Sequence, residues 1–213
     1  MSNLVDFVKT GKKIVAAAIN YKAVIKQRNL LRPEKPIFFL KPTTSYITEG
    51  QAIKVPENFQ LVQEAELGVI IGKTCKNVPE SDAMSYVGGY CLALDMTASS
   101  ELKVAREKGG PWCIGKGFDT SCPVSRFITL EELGDPHNVE IWCKVNGELR
   151  QSGNTNDLIF NIPQLISFIT KYMTLEVNDL VLTGTPPGNL PVSKGDTIEA
   201  GFGDIINFRF NIE

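Results

Sequence analysis

Residues 61–73 read LVQEAELGVIIGK, and this stretch constrains the fold more than any other. Leu67–Ile71 is an unbroken apolar run, far too short to cross a membrane, closed by Gly72 and Lys73. Such a run reads as a buried strand. Glu64 and Glu66 lead directly into it, separated by Ala65 alone. Side chains two apart on a strand share a face. A strand that begins at or before Glu64 therefore projects two carboxylates side by side. Like charges that close raise each other's pKa unless a cation joins them.

The chain has 213 residues, which suits one domain spanning 1–213, with residues 1–35 as an N-terminal strand and lid segment. A formal net charge of −2, without a basic stripe, argues against nucleic acid or an anionic membrane as partner. No apolar run approaches 18 residues, so no membrane-spanning helix is expected. The N-terminus MSNLVDFVKTGKK lacks the apolar core of a secretory signal. It has no arginine and carries Asp6, so it does not read as a mitochondrial presequence either.

Cys75, Cys91, Cys113, Cys122 and Cys143 form no CxxC pair and are odd in number, which favours reduced, mostly buried thiols. His137 is the one histidine, and the surrounding GDPHNVE reads as a loop. One loop histidine leaves no multi-histidine zinc site, and no Ser-His-Asp triad that does not use it.

The rest of the chain reads as many strands and few helices. KKIVAAAIN (12–20), PIFFLKP (36–42), GGYCLALDMTA (88–98) and DLVLTGTPPG (179–188) each contain a strand. AVIKQRNLL (23–31), PESDAMSYV (79–87) and SSELKVAREKG (99–109) read as helices, and TEGQAIKVPE as a hairpin or loop. VEIWCKVNGELRQSG (139–153) is a hairpin, because Asn146-Gly147 suits a type I′ turn. IPQLISFITKYMT (162–174) has helical spacing with Pro163 in its first turn. Two strands joined by glycines close the chain over 194–213. The expected class is α+β and β-rich, without the βαβ rhythm of a dinucleotide-binding fold.

Hard divalent cations take oxygen ligands, and Mg²⁺ uses a few carboxylates plus water or substrate. Glu64 and Glu66 supply two, and Asp95, at the end of YCLAL, is placed to supply a third. An isolated ExE equally describes two exposed carboxylates just ahead of a strand. GPWCIGK (110–116) matches the opening of a phosphate-binding loop, but Gly117 follows where Ser or Thr is needed, and the loop interior is bulky. Lys116, between glycines in an apolar setting, reads either as an acid–base lysine or as a surface lysine in a turn. LTGTPPG (182–188) offers backbone N–H groups and threonine hydroxyls for an anionic oxygen, or is simply a turn.

The order of these pieces resembles the fumarylacetoacetate hydrolase family. INY (19–21), FLKP (39–42), ExELGVIIGK (64–73), GGYxLALDMTA (88–98), PWxxGKGFDTSCPVS (111–125), VNGELRQ (145–151) and LTGTPPG (182–188) carry the resemblance across nearly the whole chain. The short length resembles the single-domain members that act as acylpyruvases, oxaloacetate decarboxylases or oxaloacetate tautomerases. The resemblance implies a mixed β-sandwich roll, a homodimer, a small 2-keto acid substrate and a Mg²⁺ or Mn²⁺ site. The metal ligands it implies are Glu64, Glu66 and Asp95. Lys116 would be catalytic, and Tyr21, Lys41, Gly184 and Thr185 would bind substrate. It also implies a mitochondrial location, with the cytosol as the alternative.

The chain departs from the resemblance near its N-terminus. Hydrolytic members carry NYxxHxxE, whose His and Glu activate water, whereas NYKAVIKQ places Val24 and Gln27 there. Arginine positions of the family hold Ile19 and Ser99. Loss of a general base weakens hydrolysis most, by about 10²–10⁴-fold. Keto–enol tautomerisation and decarboxylation need no activated water. The expectation is thus an enzyme of oxaloacetate with weak acylpyruvate hydrolysis. The competing expectation is a non-catalytic protein that binds metal and keto acid.

Overall fold

The computed structural model describes residues 3–213. The N-terminal part runs α1 (Phe7–Thr10), β1 (Ile14–Ala18), α2 (Lys22–Arg28), β2 (Ile37–Lys41), β3 (Tyr46–Ile47), β4 (Leu61–Val62), β5 (Ala65–Ile71), β6 (Val87–Leu94) and β7 (Thr97–Ala98). The chain continues through α3 (Ser99–Lys108), α4 (Cys113–Lys116), β8 (Cys122–Pro123), α5 (Leu130–Leu133), β9 (Glu140–Val145), β10 (Glu148–Asn154) and α6 (Ile162–Tyr172). It closes with β11 (Leu180–Leu182), β12 (Pro191–Val192), β13 (Thr197–Phe202) and β14 (Ile206–Asn211). The result is a mixed, β-rich α+β architecture with several sheets.

A five-stranded sheet, ordered β2-β1-β11-β5-β6, carries the site. Only β1 and β11 run parallel within it. Both of its faces are covered, which explains the unbroken apolar run of β5. Val15, Leu67, Val69, Leu92 and Leu94 enter the main core, with α6 and the four-stranded sheet β10-β9-β13-β14. Their neighbours Ile14, Ala16, Ile70, Cys91 and Ala93 enter a second core, with Phe7, Tyr46 and Cys122. This is the two-residue alternation of a strand, expressed as two apolar layers.

Local signals account for most element ends. The Asn146-Gly147 turn has φ of 52° and 81°, the pair of positive values a type I′ hairpin needs. Helix α6 opens with a reciprocal Asn161/Gln164 capping box and Pro163 in its first turn. Helix α2 stops at Arg28 rather than Leu31, because Asn29 turns left-handed at φ 49° and its N–H bonds back to Ile25 and Lys26. The 80–86 segment is a 3₁₀ helix rather than an α-helix. The 48–57 stretch forms no hairpin; its one sheet-like contact is an isolated bridge from Ile53 to Ile212.

Candidate metal centre and cavity

The register of β5 against β6 brings the three carboxylates together. Ala65 pairs with Leu94 and Glu66 with Ala93. One step further, the Asp95 N–H donates to the Glu64 carbonyl at 2.8 Å, so Glu64 and Asp95 lie opposite each other. Glu66, two residues from Glu64, shares that face. One carboxylate oxygen from each of Glu64, Glu66 and Asp95 falls within a 4.8 Å set. Glu66 and Asp95 are buried, and Glu64 is half-buried.

Each carboxylate has a distinct set of partners. Glu66 Oε2 accepts the Gly184 N–H at 2.6 Å. Gly184 sits just past β11, where the β11–β5 register places it beside Glu66. Its φ of 101°, and the 2.9 Å that would separate an added Cβ from Asn20 Cβ, require glycine there. Asp95 Oδ1 accepts from Lys41 Nζ at 2.7 Å and Asp95 Oδ2 from Lys116 Nζ at 2.5 Å. Glu64 Oε2 accepts from Lys116 Nζ at 2.7 Å, and Glu64 Oε1 from Asn189 Nδ2 at 2.8 Å. Thr97 Oγ1 is the third polar partner of Lys116, at 2.6 Å.

Electrostatics divides the cluster. Burial, then the charges of Asp95 and Glu64, push the Glu66 carboxyl well above its usual range, against Lys116 and the Gly184 N–H. Burial also acts to raise Asp95, but Lys116 and Lys41 together pull it below the usual range. Burial acts to lower Lys116, yet Asp95 and Glu64 hold it above the ordinary lysine value, so it is an ammonium. Three carboxylates thus face two lysines. An oxygen set this compact, with excess negative charge in a buried setting, fits a hard divalent cation.

Glu64, Glu66 and Lys116 of the cluster line a cavity of about 350 Å³, whereas the buried Asp95 does not. Glu64, Glu66, Thr97, Lys116, Thr185 and Asn189 line it, as do Ile19 and Ser99. Thr185 Oγ1 donates to the Ala65 carbonyl at 2.8 Å and accepts from Gln151 Nε2 at 2.8 Å. Gln151 Nε2 also donates to the Pro186 carbonyl, so the VNGELRQ hairpin braces the LTGTPPG turn. Ile19 is left-handed at φ 53°, a strained conformation for a β-branched residue.

Not every residue singled out in the sequence faces the cavity. Lys41 is fully buried behind Asp95; it also donates to the Met96 carbonyl at 3.3 Å and to the Lys116 carbonyl. Tyr21 packs with Val24 and Leu158, and its hydroxyl has no hydrogen-bond partner. Burial, and next the Glu66 charge, raise the Tyr21 pKa. Val24 lines the cavity, while Gln27 is exposed and does not. His137 remains a half-buried loop residue. Sequence reasoning did not single out Asn189, Gln151, Phe39, Arg28, Arg106 or Trp112 as site residues. Arg106 had a readable signal, because it lies seven residues after Ser99 on the same helical face.

The fumarylacetoacetate hydrolase C-terminal model matches residues 13–213. The chain belongs to this family. Among its relatives, the mitochondrial oxaloacetate tautomerase FAHD1 of Homo sapiens is 46% identical over 208 residues, covering 97% of this chain and 94% of that protein. The mitochondrial oxaloacetate decarboxylase of Dictyostelium discoideum is 47% identical over 197 residues, covering 92% and 90%. Fumarylpyruvate hydrolase from Pseudomonas aeruginosa, solved in complex with Mn²⁺ and pyruvate, superposes with a TM-score of 0.90 at 28% identity, covering 95% and 89%. The chain thus has the fold of a metal-dependent enzyme family.

Proposed function

We propose that this protein is a Mg²⁺- or Mn²⁺-dependent enzyme of oxaloacetate, catalysing its keto–enol tautomerisation, its decarboxylation, or both. The observation that carries the reading is the convergence of Glu64, Glu66 and Asp95 with Lys116, beside a small cavity that Glu64, Glu66 and Lys116 line. Its relatives named as oxaloacetate tautomerase and decarboxylase support it, as does the Mn²⁺–pyruvate complex of the similar hydrolase.

Glu64, Glu66 and Asp95 would hold the ion, and Lys41 and the Gly184 N–H would orient two of those ligands. Bound there, the ion supplies Lewis-acid polarisation of a 2-keto oxygen. Lys116 lines the cavity, which supports a role in giving a proton to C3 of the enol and accepting one from the enol oxygen in return. Thr185 and the LTGTPPG turn would contact substrate, whereas Tyr21, packed with Val24 and Leu158, does not line the cavity. Val24 brings an apolar side chain to the place of a water-activating histidine, so acylpyruvate hydrolysis would be weak.

The chain would act as one catalytic domain and as a homodimer. Edge strand β2 exposes Ile37 and Leu40, and Tyr172 and Leu31 are also exposed, at 63% and 95%. Its named mitochondrial relatives support the same compartment.

The test uses Mg²⁺-loaded protein and fresh enol-oxaloacetate, following enol absorbance and pyruvate in one sample with Glu66→Gln as control. Enol loss without pyruvate identifies a tautomerase, and pyruvate in step identifies a decarboxylase. Identical traces for the protein and its variant would instead leave a binding protein without catalysis.

A further inference from the structure

The cavity has a second charged end. Helix α3 turns Ser99, Leu102, Lys103, Arg106 and Glu107 toward it, at spacings of three and four residues. Lys103 and Glu107 offset each other across one turn, 3.9 Å apart. Arg106 has no carboxylate within ion-pair distance among the described residues. Its guanidinium lies instead over Trp112, 4.9 Å from the ring centroid. Trp112 packs on Phe39 at 5.7 Å, and the Lys116 ammonium lies 4.8 Å from the Phe39 centroid. One aromatic wall therefore connects Arg106 to the carboxylate cluster.

Helix α2 adds a second cation. Val24 and Arg28, one turn apart, both line the cavity. Arg28 Nη2 donates to Asn189 Oδ1 at 2.5 Å, and Asn189 Nδ2 donates to Glu64 Oε1. Arg28 also has no carboxylate partner among the described residues. Burial lowers the Arg106 pKa, Glu64 opposes the shift, and the Arg28 charge adds to it. Two guanidinium groups thus line one cavity, and neither is ion-paired with a carboxylate among the described residues.

We infer that Arg28 and Arg106 bind the second carboxylate of a dicarboxylic 2-keto acid and, by stabilising the charge it must lose to leave as CO₂, favour proton transfer over decarboxylation. This rests on the 2-keto acid function proposed above. Arginine is suited to the task, because a planar guanidinium binds carboxylate through two parallel hydrogen bonds, and stacking on Trp112 fixes its plane.

The steering follows from charge. In decarboxylation the C3–C4 bond breaks, C4 leaves as neutral CO₂, and the electron pair moves toward C2 as an enolate that then takes a proton at C3. The C4 group loses its charge on the way, so guanidinium contacts stabilise the starting state more than the transition state. In tautomerisation, C3 gains one proton, the enol oxygen loses one, and the C4 carboxylate stays ionised throughout. The same contacts then cost that reaction nothing.

The test measures binding to Mg²⁺-loaded protein by calorimetry, with two probes. One is 3,3-difluoro-oxaloacetate, a dicarboxylate that cannot enolise; the other is 2-oxobutyrate, which lacks the second carboxylate. Arg106→Gln and Arg28→Gln are each expected to weaken the first probe about tenfold or more, the worth of a hydrogen bond to a charged group, and to leave the second unchanged. Arg106→Lys should recover part of the loss. In Arg106→Gln, pyruvate formed per enol consumed should rise. Equal weakening of both probes, or of neither, overturns the carboxylate site. An unchanged pyruvate ratio overturns the steering. Failure of both probes to bind the unaltered protein would remove the 2-keto acid function itself.

Discussion

Lys116 Nζ lies 2.7 Å from Glu64 Oε2 and 2.5 Å from Asp95 Oδ2, so an ammonium that lines the cavity also bridges two of the three carboxylates. With Thr97 as third partner, all its N–H donors are engaged. A divalent cation held by those carboxylates would repel the ammonium. Lys116→Met separates the two roles. Calorimetry should show Mg²⁺ binding more tightly, because a like charge is gone. Enol turnover should fall by about 10²–10⁴-fold, the usual worth of a positioned acid or base. Weaker Mg²⁺ binding would show that the lysine supports the cation rather than competing with it.

The pair of Lys41 and Asp95 is buried at both ends, with side chains 0% and 1% exposed. Removing Lys41 leaves the buried Asp95 Oδ1 without its donor, with Lys116 still paired to Oδ2. Lys41→Met is expected to cost about 3–5 kcal/mol in chemical denaturation, as for other broken buried pairs. Lys103→Ala, which breaks an exposed pair on α3, should cost less than about 1 kcal/mol.

Gly184→Ala combines backbone strain with a clash. The position has φ 101°, and the new Cβ would lie 2.9 Å from Asn20 Cβ. Asn20 holds this turn, donating to the Thr183 and Phe160 carbonyls at 2.9 Å each. Thermal denaturation should show a loss of more than about 1 kcal/mol. Catalysis should fall further than stability, because the N–H aimed at Glu66 moves with the backbone.

Much of this was legible in the sequence, for identifiable reasons. The apolar run of β5, the Asn146-Gly147 turn and the α6 helix start each follow from local chemistry, and each forms as read. Glu64, Glu66 and Asp95 were legible as a set because strand alternation and a motif pointed to the same positions. Lys41 was read as a substrate contact and lies behind Asp95, because its neighbours come from the turn after β6 and from α4, more than fifty residues away. Arg28 and Arg106 escaped notice because surface arginines are common on helices. For Arg28 the distinguishing feature is the closure of α2 and α3 around one cavity; Arg106 also shares the helical face of Ser99.

The lid helix can be tested by restoring what it lacks. Val24 already lines the cavity, and Gln27 lies on the next face of α2. Val24→His with Gln27→Glu is expected to raise acylpyruvate hydrolysis at least about tenfold, within the range of general base catalysis. Product analysis of acetylpyruvate cleavage measures it. An unchanged rate would mean that water, not a base, is what the site excludes.

Buried phenols and thiols set the alkaline limit of stability. Burial, and then Asp135, push Tyr90 up to about 12, and burial alone pushes Cys143 up to about 12. Unfolded, they ionise near about 10 and about 8.5. Their neutral forms favour the folded state fully below those unfolded values, and that contribution is lost as pH rises toward 12. Denaturation midpoints should therefore fall steadily above about pH 9. Tyr90→Phe should flatten the decline between about pH 10 and 12.

The proposed function requires that Glu64, Glu66 and Asp95 form one divalent-cation centre serving a 2-keto acid. Electron paramagnetic resonance of added Mn²⁺ tests it directly. The expected result is one tightly bound Mn²⁺ per chain, a spectrum altered by pyruvate, and loss of the tight site in Glu66→Gln. Equal Mn²⁺ binding by the variant, or a spectrum indifferent to pyruvate, would contradict it.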